Sequence, residues 1–281
     1  MRLLISIIML ATITNVSGQT ADTTKVLFQS IKEAVIEPLS VKRLAITSPD
    51  DFARLGEISK LQNLEYLSLK GYDLNAFPTQ LFELRSLKVL DLSENRFEVL
   101  PEEFSKLETL EELYLNKDFE LDLDQAFSVL GKLPNLKVLT LKNDSLLRIP
   151  ESIANLSKLE TLDLGGNRIS ELPVSIVNLK NLEELYLDHD NRLDFRNAFI
   201  LLGKLPRLRV LHLEGNELTS LPETINNLQA LEKLYLNQNE LSLVDIKRDQ
   251  LKRLLLVDLQ QNQVPVGTLD HLERTGVRIR F

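Results

Sequence analysis

Residues 156–178 read LSKLETLDLGGNRISELPVSIVN, and from Leu179 the same pattern begins again as LKNLEELYL. Nine segments of the form L-x-x-L-x-x-L-x-L start at Leu61, Leu84, Leu107, Leu133, Leu156, Leu179, Leu205, Leu228 and Leu251, the last with Val257 in its third slot. A worn first copy runs through Val41, Leu44 and Ile46. The steps are 23, 23, 26, 23, 23, 26, 23 and 23 residues, the fixed short period of a solenoid. Leucine supplies about a fifth of the chain, roughly twice ordinary usage.

Each part of the unit has a physical task. The L-x-L alternation puts its leucines on one side of a short strand. Stacked parallel strands then share a core that no single coil could close, since both flat faces of one coil would be wet. Three residues past the strand stands Asn95, Asn167, Asn216, Asn239 or Asn262. Its amide both donates and accepts, so a stacked row can satisfy backbone groups where the chain leaves the sheet. Phe97, Ile169, Leu218, Leu241 and Val264 follow two residues further on. Pro78, Pro101, Pro150, Pro173 and Pro222 end the extended return and are placed to open a helical turn at its first position.

On these residues the sequence resembles the leucine-rich-repeat family in its 23-residue L-P-x-x-I-x-x-L form, over about residues 38–264. The resemblance implies an α/β fold: a right-handed solenoid with a parallel concave sheet and short helical or irregular convex segments. It also implies a protein-interaction module without catalysis. The N-terminal region and a first coil reading EAVIEPLSVKRLAIT look like exported leucine-rich-repeat proteins of Bacteroidetes. A second period lies on the first: LEELYLNKDFELDLDQAFSVLGKLPNLKVL from Leu110 is echoed 72 residues later from Leu182, as a duplicated 23+23+26 triplet would be. The long coils carry Asp118 and Asp190 where Asn is expected, and Tyr72 and Asp144 also break the row. An ionised Asp cannot donate, so the outward loop is expected to be rearranged at the long coils.

Residues 1–18, MRLLISIIMLATITNVSG, place one cation before an apolar run and end in small residues at a plausible cleavage site, as a signal peptide does. A signal anchor or a retained buried helix is the alternative. Cleavage would leave 32 basic and 41 acidic side chains, a net charge of −9, in an extracytoplasmic protein. Residues 19–37 are expected to form a capping helix, with Val26, Leu27, Ile31, Ala34 and Val35 on one face and Thr23 or Thr24 as N-cap. Repeats then fill 38–263 in about ten coils, and 264–281 form the C-terminal cap. There a turn at Thr268–Arg274 ends at Gly276, Val277, Ile279 and Phe281 close the core, and Arg278 and Arg280 guard an edge strand. Two caps suggest a complete chain.

Composition removes several chemistries. With no Cys, thiolate zinc sites, disulfides and cysteine nucleophiles are excluded, including the catalytic Cys of leucine-rich-repeat ubiquitin ligases. A net charge of −8 argues against a general nucleic-acid binder. The sequence holds no P-loop, G-x-G-x-x-G, H-E-x-x-H or G-x-S-x-G motif. His189, His212 and His271 fall in different coils, and His212 reads as a solvated ladder residue. Asp118, Glu120, Asp122 and Asp124 have spacing that could hold Ca²⁺. Their alternation with Phe119, Leu121 and Leu123 reads instead as a half-buried strand, and the second copy puts Arg192 and Arg196 at two of these positions. No metal and no cofactor are therefore expected. The sequons at Asn143 and Asn155 would be silent in a bacterial source.

The exposed positions of the strands form the expected binding face. It gathers Tyr66, Asp91, Glu112, Tyr114, Asp163, Glu184, Tyr186, His212 and Tyr235, with Asn116, Thr161, Asp188 and Glu214 beside them. This acidic–aromatic strip suits a protein partner with basic or polar groups, a glycan being the alternative ligand. Duplication alone would supply three of the tyrosines, since LYL belongs to the repeated unit. A retained N-terminal segment would instead favour an intracellular scaffold similar to small-GTPase-associated repeat proteins.

Overall fold

The computed structural model describes residues 26–265, 267 and 269–281. The proposed signal peptide and residues 19–25, with Thr23 and Thr24, lie outside them. Eleven three-residue strands, β1 (Arg43–Ala45) to β11 (Arg278–Arg280), form one parallel sheet in strict sequence order. The register steps one coil at a time, so Leu139, Leu162 and Leu185 stand directly beside one another. These leucines and Leu141, Leu164 and Leu187 are at most 2 % exposed, and they form the spine of a single continuous core.

Opposite the sheet, the 23-residue coils turn through short 3-10 segments such as Glu102–Lys106, Glu151–Asn155 and Val174–Asn178. Each proline stands one place earlier than expected, as the extended N-cap residue rather than the first residue of the turn. Its carbonyl accepts the first turn hydrogen bond, as from Ile153 N–H to Pro150 at 3.1 Å. The two 26-residue coils hold true α-helices of eight residues, Leu123–Leu130 and Phe195–Leu202 (α2 and α3 in chain order after α1, Ile31–Ala34). Strands sit about 4.8 Å apart while helices need about 10 Å, so the sheet takes the inner, concave side of the curve.

The long coils correct two expectations. Residues 118–122 form no strand: Phe119 is 63 % exposed, and Asp122 caps α2 by accepting the Gln125 N–H at 3.1 Å. Asp194 caps α3 in the same way through Asn197. The row itself continues through the aspartates, and the rearrangement falls on the convex side. In the row, Asn167 donates to the carbonyls of Leu141 and Leu164 at 2.8 and 2.7 Å and accepts from Asp144 and Leu146 N–H. Asp118 and Asp144 keep only the accepting half, from the N–H groups of Phe97 and Asp118. The residue preceding the row is left-handed in every coil from Gly71 to Gln261, and in six of these nine it is not glycine.

The N-terminal cap is not a helix over the whole expected segment. Among the described residues of that segment only Ile31–Ala34 is α-helical, capped by Ser30. Phe28 instead bridges Leu44 as a parallel extension of the sheet, with Ala45 N–H donating to its carbonyl at 2.9 Å. At the other end α4 (Asp270–Glu273) and Gly276, at φ +86°, lead into β11. Leu269, Leu272 and Val277 close the core there. Phe281 does not, being 41 % exposed.

Candidate functional site

Pairing along the sheet sorts the exposed strand positions into two columns. One runs Tyr66–Val89–Glu112–Val138–Thr161–Glu184–Val210–Lys233, and the other Ser68–Asp91–Tyr114–Thr140–Asp163–Tyr186–His212–Tyr235. All nine sequence-derived site residues stand in these columns. They do not form one cluster.

The tightest group spans three strands: β7 (Glu184–Tyr186), β8 (Val210–His212) and β9 (Lys233–Tyr235). The His212 imidazole stacks on Tyr186 at 3.9 Å between centroids and on Tyr235 at 4.5 Å, with planes within 9°. Its two ring nitrogens lie 3.1 Å from Glu184 Oε1 and 3.0 Å from Glu214 Oε1. Two flanking acceptors require both nitrogens to carry protons, so the ring is an imidazolium. Burial opposes that charge, but the carboxylate hydrogen bonds outweigh it and push the His212 pKa up to about 9. Its side chain is 13 % exposed, so the residue is a clamped ion and not the solvated one expected.

Glu184 also accepts the Tyr186 hydroxyl at 2.9 Å. Burial would raise its pKa, but the bonds from His212 and Tyr186 bring it below the usual carboxylate range. The duplicated strand β4 (Glu112–Tyr114) repeats the device, with Tyr114 Oη donating to Glu112 at 2.7 Å. Burial and the adjacent carboxylates push both phenols above their ordinary range. Between these strands lie β5 (Val138–Thr140) and β6 (Thr161–Asp163). Asp163 is raised by burial, offset in part by the Gly165 N–H at 2.9 Å and by Lys142.

Tyr66 stands apart near the N-terminal end, with the Arg43 guanidinium 5.0 Å from its ring centroid. Asp91 is occupied locally by the Ser93 N–H at 3.0 Å. Sequence reasoning did not single out Lys142, which reaches Asp188 two coils away at 3.1 Å. Gly165 lies between them, and a Cβ there would come within 2.4 Å of Asp188 Oδ1. A glycine between opposite charges in one column was the available signal. Burial disfavours the charged Asp188, but His189 and Lys142 together lower its pKa.

Among the described residues no group of three His, Asp or Glu side chains is placed to hold a metal ion, and no helix is long and apolar enough to cross a membrane. Three family descriptions match the chain: "Leucine-rich repeat region" over residues 120–200, "Leucine rich repeat" over 62–118 and "Leucine Rich Repeat" over 207–228. No curated protein matches by sequence. Among solved structures, Drosophila Toll in its complex with Spatzle superposes with a TM-score of 0.67 at 21 % identity, covering 90 % of this chain. This chain spans 34 % of that Toll chain. An internalin of Listeria monocytogenes gives 0.56 at 21 % identity, covering 85 % of this chain and 72 % of its own. The plant peptide hormone receptor RGFR1, in complex with RGF2, gives 0.55 at 22 % identity, covering 90 % and 45 %. At such identities the likeness is one of fold.

Proposed function

Because this chain belongs to the leucine-rich-repeat family, we propose that it is a non-catalytic module, exported from the cytoplasm, that binds a protein partner on its concave face between β4 and β9. The observation that carries this reading is the Tyr186–His212–Tyr235 stack with its glutamate clamps. Side chains already fixed by stacking and hydrogen bonds lose little freedom when a partner arrives, which is how a rigid aromatic patch becomes an interface anchor. The excess of carboxylates around it suits a partner presenting basic or polar groups. Toll and RGFR1, whose solved complexes each hold a second protein or peptide, support a protein ligand by analogy of fold.

The test is a photo-crosslinking amino acid placed at Thr161 or Lys233 on the concave face, or at exposed Val174 on the convex side, in the native cells. Concave positions should join one protein that Val174 does not reach. Equal adducts from both sides, or none from the concave pair, would sink the reading. The intact mass of the same material tests export, through loss of about eighteen N-terminal residues.

A further inference from the structure

A different surface carries a charge that the chain as a whole conceals. The turn that returns each coil to the sheet is centred on the first leucine of the unit. In the nine units, the residue before that leucine and the two after it include ten cations and only two carboxylates, Glu83 and Glu108. Lys60, Lys106, Lys132 and Lys204 come before it. Arg85, Lys180 and Lys252 follow at once, and Lys158, Arg207 and Arg253 one place later. This surplus of eight positive charges sits in a chain of net charge −8, leaving −16 on the remainder.

All ten side chains are exposed. Lys60 pairs with Glu57 and Lys132 with Glu102, while the other eight have no carboxylate partner among the described residues. Register keeps them together: the strands pair residue for residue along the sheet, so equivalent turn positions line up on one flank, about 4.8 Å apart per coil. The adjoining column does not cancel them. In the nine units it holds five carboxylates and three cations, a net −2 that leaves a surplus of six. It spends much of its charge internally, as in Lys88–Glu65 at 2.9 Å and Arg209 at 3.8 Å from both Glu183 and Glu232.

We propose that this flank docks on an anionic membrane surface. A plane of lipid phosphates meets a whole edge of exposed cations at once, and clustered basic residues gain attraction to such a surface without a pocket. Seven of the ten cations are lysine, a hydrated point charge. The three arginines, Arg85, Arg207 and Arg253, stand on coils that are not neighbours, so no cluster of arginine forks is built there to read an individual group. Its three columns contain no aromatic residue, so nothing there stacks on the bases of a nucleic acid. The acidic concave strip lies on another face and stays free for a partner.

The full chain would be floated with vesicles of phosphatidylcholine alone or with about one third phosphatidylserine. It should bind only the anionic vesicles and leave them between about 50 and 500 mM salt. Reversing Lys106, Lys158, Lys180 and Lys204 to Glu should weaken binding at least about thirtyfold. The same reversal at exposed Lys32, Arg148, Arg192 and Arg274 matches the net charge and should stay within about threefold of the parent. Both variants must keep the parent circular dichroism, and cumulative single reversals replace a quadruple variant that does not. Equal losses in the two variants, no affinity for anionic vesicles, or retention by heparin or DNA without vesicle binding would each overturn the proposal.

Discussion

Asp144 holds a place in the row where Asn167 both donates and accepts, and the exchange removes the donor. Its Oδ1 accepts the Asp118 N–H at 2.7 Å, while Asp144 Oδ2 and Asp118 Oδ1 are buried without partners. Burial, with Asp118 close by, pushes the Asp144 pKa up to about 8 and that of Asp118 to about 6. A carboxyl raised above its unfolded value holds its proton in the folded state, so the contribution of these two groups to stability is greatest in acid and declines as pH rises from about 4 toward 8. Asp144→Asn restores the donor and removes the titration. It should stabilise the protein by about 1–3 kcal/mol above pH 8 and by little at pH 4, read from urea unfolding. Equal effects at both pH values would show that the carboxyl is ionised throughout. His212 has the complementary behaviour. Its folded pKa of about 9 exceeds the ordinary value, so its ion pairs contribute fully below about pH 6.5 and fade as pH rises through 9. An NMR titration of the imidazole should find its midpoint near 9, and Glu214→Gln should lower it by about a unit or more. A midpoint at or below 7 in the parent would contradict the double clamp.

At the scale of elements, legibility follows the range of the forces that set each feature. Strands were readable because burial of L-x-L is periodic, and every predicted inward leucine from Leu67 to Leu236 is buried. The sense of the 26-residue coils was not. Phe119, Leu121 and Leu123 alternate as a strand would, yet Asp122 supplies a cap and Leu123–Ala126–Phe127–Leu130 then buries at helical spacing. Three extra residues give the room for two turns of α-helix where a 23-residue coil fits only a 3-10 turn. The left-handed residue before each row position left little trace, because Glu94, Lys117 and Gln238 adopt it as well as Gly166. After Glu94 and Gln238 the amide of the following Asn ties that turn down by donating to the carbonyls of Leu92 and Leu236, so the glycine signal is dispensable there. On the binding face the columns followed from the period alone. Contacts within them did not, because the His212 stack and the Lys142–Asp188 bridge depend on side-chain length across coils far apart in sequence.

For the whole molecule, a parallel sheet in strict sequence order means that each coil is held by its two neighbours, and the ends become the weak points. The C-terminal end is closed by very little material. Leu269, Leu272 and Val277 cover the last coil, Leu259 N–H donates to the Arg280 carbonyl at 2.7 Å, and the Arg280 side chain reaches Asp258 at 3.1 Å. Removing residues 265–281 would expose Leu254, Val257 and Leu259, now at most 2 % exposed, along with the open edge of β10 (Leu256–Asp258). Two liabilities then coincide at one site, an apolar patch and an unpaired strand edge. The truncated chain should self-associate at micromolar concentration. At dilutions that keep it monomeric, hydrogen exchange should quicken first in β9 and β10, while β4 to β7 keep the parent protection. Losses spread evenly over all strands would mean that the solenoid unfolds as one cooperative block. In that case coupling across the Asn row and the concave ion pairs would be strong enough to override nearest-neighbour stacking.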